Sequence, residues 1–95
     1  MAKKRSKLEI VHTILENIRA RNGKIKPTHI LYKSNLSYQM METYLEELKQ
    51  KGLITELQMK RGKTNAKTYA ITEKGLDYLD KYRLITEFAE TFGLE

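Results

Sequence analysis

Along the first quarter of the chain, apolar residues return at steps of three and four. Leu8, Val11, Ile14, Leu15 and Ile18 therefore share one face of a predicted amphipathic helix that ends near Arg21. Ser6-Lys-Leu-Glu9 in front of this run has the S-x-x-E form of a capping box, and Asn22-Gly23 behind it supplies a left-handed stop. Pro27 suits the first position of a short second helix, because its missing N–H has no partner there in any case. Ile30 and Leu31 are the core contacts of that helix, and Ser34-Asn35 ends it. Leu36 is then the buried pivot of a turn into a third helix over 37–51. Ser37 caps this helix, and Met41, Tyr44, Leu45 and Leu48 keep helical spacing until Gly52. Two helices joined by so short a turn make a helix-turn-helix.

Past Gly52 the period changes from helical to alternating. Leu53, Leu57 and Met59 fall on one side of a predicted strand, with Glu56 and Gln58 on the other. Thr68-Tyr-Ala-Ile71 resumes a β-rich run with Tyr69 and Ile71 on one side, so the pair predicts a hairpin whose tip, 60–67, is long, basic and exposed. Thr72 caps a last helix, from which Leu76 and Leu79 are expected to return to the core. Beyond them Tyr78, Tyr82, Ile85, Ala89 and Phe92 recur at steps of four and three, a heptad-type seam. The fold class expected is mainly α with a small β-hairpin.

Charge is distributed unevenly along this frame. The net charge is +6: residues 1–26 hold eight basic and two acidic groups, 27–59 three and four, 60–72 four and none, and 73–95 three and six. Two basic zones bracket a near-neutral middle, and the tail is acidic, which is the footprint of a polyanion partner on one side of the molecule. With 95 residues there is room for one domain, and 40% hydrophobic content with periodic patterning argues against disorder. There is no cysteine, so disulfides and thiolate metal sites are excluded. The basic start runs directly into an amphipathic pattern, and no stretch reaches membrane-spanning length. A cytoplasmic, nucleoid-associated protein with no membrane contact is expected, and the Asn35-Leu36-Ser37 sequon is then a coincidence of composition.

The order of elements and two local stretches resemble small prokaryotic winged helix-turn-helix regulators. Leu48-Lys-Gln-Lys-Gly-Leu-Ile54 resembles their junction between recognition helix and first wing strand, and Tyr69-Ala-Ile-Thr-Glu-Lys-Gly75 their junction between second wing strand and last helix. The opening Met1-Ala-Lys-Lys-Arg-Ser-Lys-Leu-Glu-Ile10 and Asn35-Leu-Ser-Tyr38 are similar to the archaeal 10a-type family of dimeric winged-helix DNA-binding proteins, over about residues 1–80. The resemblance implies a DNA-binding domain over 1–75 with a basic N-terminal arm at 1–6, a long C-terminal dimerisation helix over 72–95, and a chromatin or regulatory role. With the final helix expected to stop at Glu95, a seam shorter than that family's coiled coil is expected.

In a helix-turn-helix the start of the second helix meets base edges, here Ser37, Tyr38, Gln39, Glu42 and Thr43. Gln39 suits adenine, Glu42 cytosine, and Thr43 either base or phosphate. No lysine or arginine lies between Lys33 and Lys49, so the helix lacks the guanine-reading arginine, and Glu42, Glu46 and Glu47 repel phosphate. The wing offers Lys60, Arg61, Lys63 and Lys67 with Thr64 and Asn65 as neutral donors. Lys3, Lys4, Arg5 and Lys7 form an arm. The expected partners are double-stranded DNA and a second copy, joined through Tyr78, Tyr82, Ile85, Ala89 and Phe92. A helix of roughly 30 Å exceeds what so small a core covers and leaves Ile85, Phe88 and Phe92 for a partner.

Catalysis finds little footing. Gly62-Lys63-Thr64 echoes the end of a P-loop, but its first glycine would fall on Leu57, in a hairpin. His12 and His29 sit on separate helices without metal-ligand spacing, so no metal, no cofactor and no small-molecule substrate is expected. The alternative is a winged-helix module for protein contact or RNA, because the fold does not fix its ligand and charge does not separate DNA from RNA.

Overall fold

In this computed structural model the described residues are 6–61 and 64–94, without the side chains of 59–65. The order is α1 (Lys7–Ala20), α2 (Pro27–Ser34), α3 (Tyr38–Gln50), β1 (Ile54–Arg61), β2 (Thr64–Ile71) and α4 (Glu73–Thr91). Ser6, Ser37 and Thr72 cap α1, α3 and α4 by accepting from the backbone N–H groups of Glu9, Met40 and Gly75. Helix α2 has Pro27 at its start in place of a side-chain cap and ends on Asn35 in the left-handed region, φ 52°.

Helix α1 is the centre of the core. Ile14, Leu15 and Ile18 are fully buried against Ile30 of α2, Met41, Leu45 and Leu48 of α3, Ile54 and Tyr69 of the hairpin and Leu79 of α4. Leu8, at the head of the same stripe, is 53% exposed.

Helix α3 turns into β1 through Gly52, at φ 75°. The Gly52 N–H donates to the Lys49 carbonyl at 3.0 Å and the Leu53 N–H to the Leu48 carbonyl at 2.9 Å, the paired bonds of a Schellman stop. Leu48 and Leu53 are both buried across that turn. The start of α4 is laid over it: Thr72 Oγ1 donates to the Gly52 carbonyl at 2.6 Å, and Lys74 Nζ to the Lys51 carbonyl at 2.7 Å.

Strands β1 and β2 pair antiparallel from Ile54↔Ile71 to Arg61↔Thr64. The ladder therefore continues through most of 60–67, which the sequence had as an open loop; threonine, asparagine and alanine alternate well enough there to keep a two-stranded ribbon. Its register also corrects the face assignment. Leu53 precedes the strand, buried Ile54 is the inward residue, and Glu56, opposite Tyr69, follows it on that face. Leu57, 40% exposed, lies on the other side, near Gly23. Leu76 is likewise 41% exposed, and Leu79 is the core residue of α4.

The α1–α2 connection, expected only as a helix stop, runs beside β2. Ile25 bridges Tyr69, the Gly23 N–H donates to the Tyr69 carbonyl at 3.0 Å, and the Ile71 N–H donates to Asn22 Oδ1 at 2.9 Å. The base of the hairpin is thereby fixed to the helical body through Tyr69 and Ile71.

Candidate nucleic-acid interface

Helix α3 buries Met41, Leu45 and Leu48 and turns Tyr38, Gln39, Glu42 and Thr43 outward. Much of the hydrogen-bonding capacity of that outer face is already engaged. Ser37 Oγ accepts from the Met40 N–H at 3.2 Å, and Thr43 Oγ1 donates to the Gln39 carbonyl at 3.0 Å. The Tyr38 hydroxyl is paired with the Glu42 carboxylate, which pushes the phenol above its ordinary pKa. Gln39 is the remaining candidate of the first turn, and it is exposed.

Between α3 and the hairpin lies an open groove of about 930 Å³, bordered by Pro27, Tyr38, Glu42, Glu46, Glu56 and Tyr69. Glu56 is the charged centre of its floor, with its side chain 20% exposed. Lys49 Nζ donates to Glu56 Oε2 at 2.6 Å, and Lys67 Nζ lies 3.3 Å from Glu56 Oε1. The hydrogen bond from Lys49 is the main reason the carboxyl stays below the usual carboxylate range, with desolvation opposing and Lys67 assisting. One inward acid thus joins the recognition helix to both wing strands. The sequence, which turned Glu56 to the outer side of β1, gave no signal for it.

Of the wing residues, Lys67 is 62% exposed at its side chain and reaches past Glu56 into solvent. Lys60, Arg61, Thr64 and Asn65 have their backbone in the ladder, while their side chains, all of Lys63, and Lys3, Lys4 and Arg5 lie outside the described residues. Lys7 is not part of a free arm. Its Nζ donates to Glu47 Oε1 at 2.6 Å, which raises the lysine pKa and holds Glu47, also bonded by Lys51, below its ordinary value.

The C-terminal stripe divides in two. Tyr78 donates its hydroxyl to the Leu8 carbonyl at 2.8 Å, and the Tyr82 ring stacks on His12 at 4.2 Å, so both pack on their own α1. Burial is the chief cause pushing both phenols up. Farther out, Leu84, Ile85, Phe88 and Phe92 are each about 60% exposed, Phe88 and Phe92 meet at 4.8 Å, and Ala89 is half-buried. The apolar stripe therefore starts on α1 and continues past the end of the domain. Among the described residues no group of three or more potential ligands is placed to hold a metal ion, and no helix is long and apolar enough to cross a membrane.

A family model described as winged helix-turn-helix matches residues 4–90. The structure is similar to Sso10a-2, a DNA-binding protein from Sulfolobus solfataricus, with 25% identity and a TM-score of 0.74, covering 93% of this chain and 85% of that one. It is similar in fold to a PadR family transcription regulator from Clostridium difficile R20291, at 19% identity and a TM-score of 0.71, over 87% of this chain and 96% of the other. The same holds for smu.1704 from Streptococcus mutans UA159, at 18% identity and a TM-score of 0.75, over 100% and 97% of the two chains. A comparison with curated protein sequences finds no match. The resemblance to the archaeal 10a-type proteins thus extends from short motifs to the fold over 93% of the chain.

Proposed function

The chain belongs to the winged helix-turn-helix family, and we propose that it binds double-stranded DNA as a homodimer, in a chromatin-associated or regulatory role and without catalysis. The observation that carries this reading is the basic hairpin beside α3: four cations and no acid over 60–72, on a ribbon joined through Glu56 and Lys49 to the helix that a helix-turn-helix presents to the major groove. In this reading the domain is 1–75, the arm at 1–6 and the wing at 60–67 contact phosphates, and Ser37, Tyr38, Gln39, Glu42 and Thr43 face the bases. The DNA-binding description of Sso10a-2 supports it.

The C-terminal segment 72–95, whose helix α4 runs over Glu73–Thr91, is assigned to dimerisation. Its seam runs from Tyr78 and Tyr82, whose rings also rest on α1, through Ile85, Ala89 and Phe92. Nucleoid association in the cytoplasm follows from DNA as the partner. The second reading is a winged-helix module for protein-protein interaction or RNA binding, because the fold does not fix its ligand; the acidic exposed side of α3 suits the protein arm of that reading and not RNA.

A gel-shift comparison of duplex DNA, duplex RNA and single strands separates the two, repeated with Lys60, Arg61, Lys63 and Lys67 changed to alanine. The DNA reading expects a preference for duplex DNA, a steep loss in the wing variant, and a log–log salt slope of about −0.9 per phosphate contact. Binding that is the same for wild type and wing variant overturns it.

A further inference from the structure

The described cations sort into two groups by what surrounds them. Lys7, Arg19, Lys49, Lys51, Lys67, Lys81 and Arg83 each have a carboxylate within 4.0 Å, and Lys74 is bonded to a backbone carbonyl. Arg21, Lys24, Lys26 and Lys33 are exposed, and among the described residues no carboxylate lies within that distance of any of them. All four fall in one stretch, 20–34, which contains no acidic residue at all.

This stretch is held in place. It is hydrogen-bonded to β2 through Asn22, Gly23 and Ile25, and Pro27 at its middle borders the groove between α3 and the wing. Arg21 Nη1 lies 3.3 Å from His29 Nδ1, which ties the start of the connection to the outer face of α2. That face also carries Lys33 and Tyr32, an aromatic ring 81% exposed among cations. Like charges gathered on a rigid surface without counter-charges repel one another, and a polyanion relieves that repulsion while releasing its own counterions.

Resting on the DNA reading above, we infer that the α1–α2 connection and the outer face of α2 form a second phosphate-binding track, through Arg21, Lys24, Lys26 and Lys33, on the duplex that the wing engages. Helix α3 is acidic on its exposed side, so the phosphate contacts are carried by the segments that flank it. The connection is hydrogen-bonded to β2, so it extends the basic surface of the hairpin toward α2. Tyr32 adds a flat apolar face against the sugar edge of the strand.

The test uses the full chain with Lys24→Gln, Lys26→Gln and Lys33→Gln combined, the wing alanine variant, and Lys81→Gln, which removes a cation already paired with Asp77. Binding of each to one mixed-sequence duplex is measured over a range of salt. The triple variant is expected to lose about tenfold or more in affinity at moderate salt, and its log–log slope is expected to be shallower by about 0.9 for each contact removed, while Lys81→Gln leaves both unchanged. These exposed side chains leave the core intact, so thermal melting stays that of the wild type. If the wing variant weakens binding and the triple variant does not, the track is overturned and the DNA reading stands. Failure of the wild type to bind duplex DNA overturns both.

Discussion

Lys49, in the last turn of α3, donates to Glu56, the third residue of β1, at 2.6 Å, and this bond spans the junction between recognition helix and wing. The same carboxylate lies 3.3 Å from Lys67 on the opposite strand. Its sign with pH is fixed by chemistry. Glu56 is held below its ordinary pKa chiefly by the Lys49 hydrogen bond, so the stabilisation is complete above the unfolded carboxylate pKa and is lost as pH falls through the lower folded value. Thermal melts taken from neutrality downward should therefore lose part of their stability below about pH 4.5, and Glu56→Gln should remove that part of the acid limb. An acid limb of the same shape in wild type and variant rules out this role.

Gly75 is set by contact and not by its backbone angles. A Cβ at this position would lie 2.4 Å from the Leu53 carbonyl oxygen and 2.6 Å from Ile71 Cγ1, so the first turn of α4 approaches the hairpin base only because the side chain is absent. Gly75→Ala should destabilise the fold by about 1–3 kcal/mol, as overpacking does, despite alanine's better helix propensity. Urea unfolding measures it, and a stability equal to wild type would show that α4 shifts freely.

These two relationships mark where the sequence was legible and where it was not. Helix limits were readable because caps and stops are local: Ser6, Ser37, Thr72 and Gly52 act on backbone groups within a few residues. The helix-turn-helix followed from Ile30, Met41, Leu45 and Leu48, whose spacing alone selects a buried face. Strand faces were less secure, since period two leaves the choice between Ile54 and Leu57 to the tertiary partner, and Tyr69 together with Ile25 decided it for Ile54. Side chains that act across elements were not visible at all. Lys7 reaches Glu47 over forty residues, and Tyr78 reaches the Leu8 carbonyl over seventy.

At the start of α3 the structure narrows the base-reading candidates. Tyr38 is turned to Glu42, Thr43 to the Gln39 carbonyl and Ser37 to the Met40 amide, which leaves the Gln39 carboxamide as the group able to make two bonds to one adenine. Gln39→Ala should reduce discrimination between preferred and substituted duplexes by about 1–3 kcal/mol at one base pair while leaving nonspecific affinity nearly unchanged. Selection of sites from random duplex reads this directly. A site preference identical for both proteins would place specificity in DNA shape.

The outer half of α4 gives the last prediction. Ile85, Phe88 and Phe92 are exposed by 59%, 61% and 62%, so their own domain leaves more than half of each uncovered. Full burial of such side chains is worth about 1.5–3 kcal/mol each, and a twofold pairing counts every residue twice, so two copies gain enough to meet a rigid-body association cost of the order of 4–15 kcal/mol. A charge introduced on this seam also acts twice, and it would face its own symmetry mate across an apolar contact. Ile85→Glu should therefore convert a dimer into a monomer at micromolar concentration, with helix content kept, because Tyr78, Leu79 and Tyr82 still bind the first half of α4 to α1 and the core. Sedimentation equilibrium of the two proteins decides the matter. A wild type that sediments as a monomer overturns the dimer, and an Ile85→Glu variant that remains a dimer moves the interface away from this helix. The variant should also bind duplex DNA with a salt slope about half that of wild type, since each monomer brings only its own set of phosphate contacts.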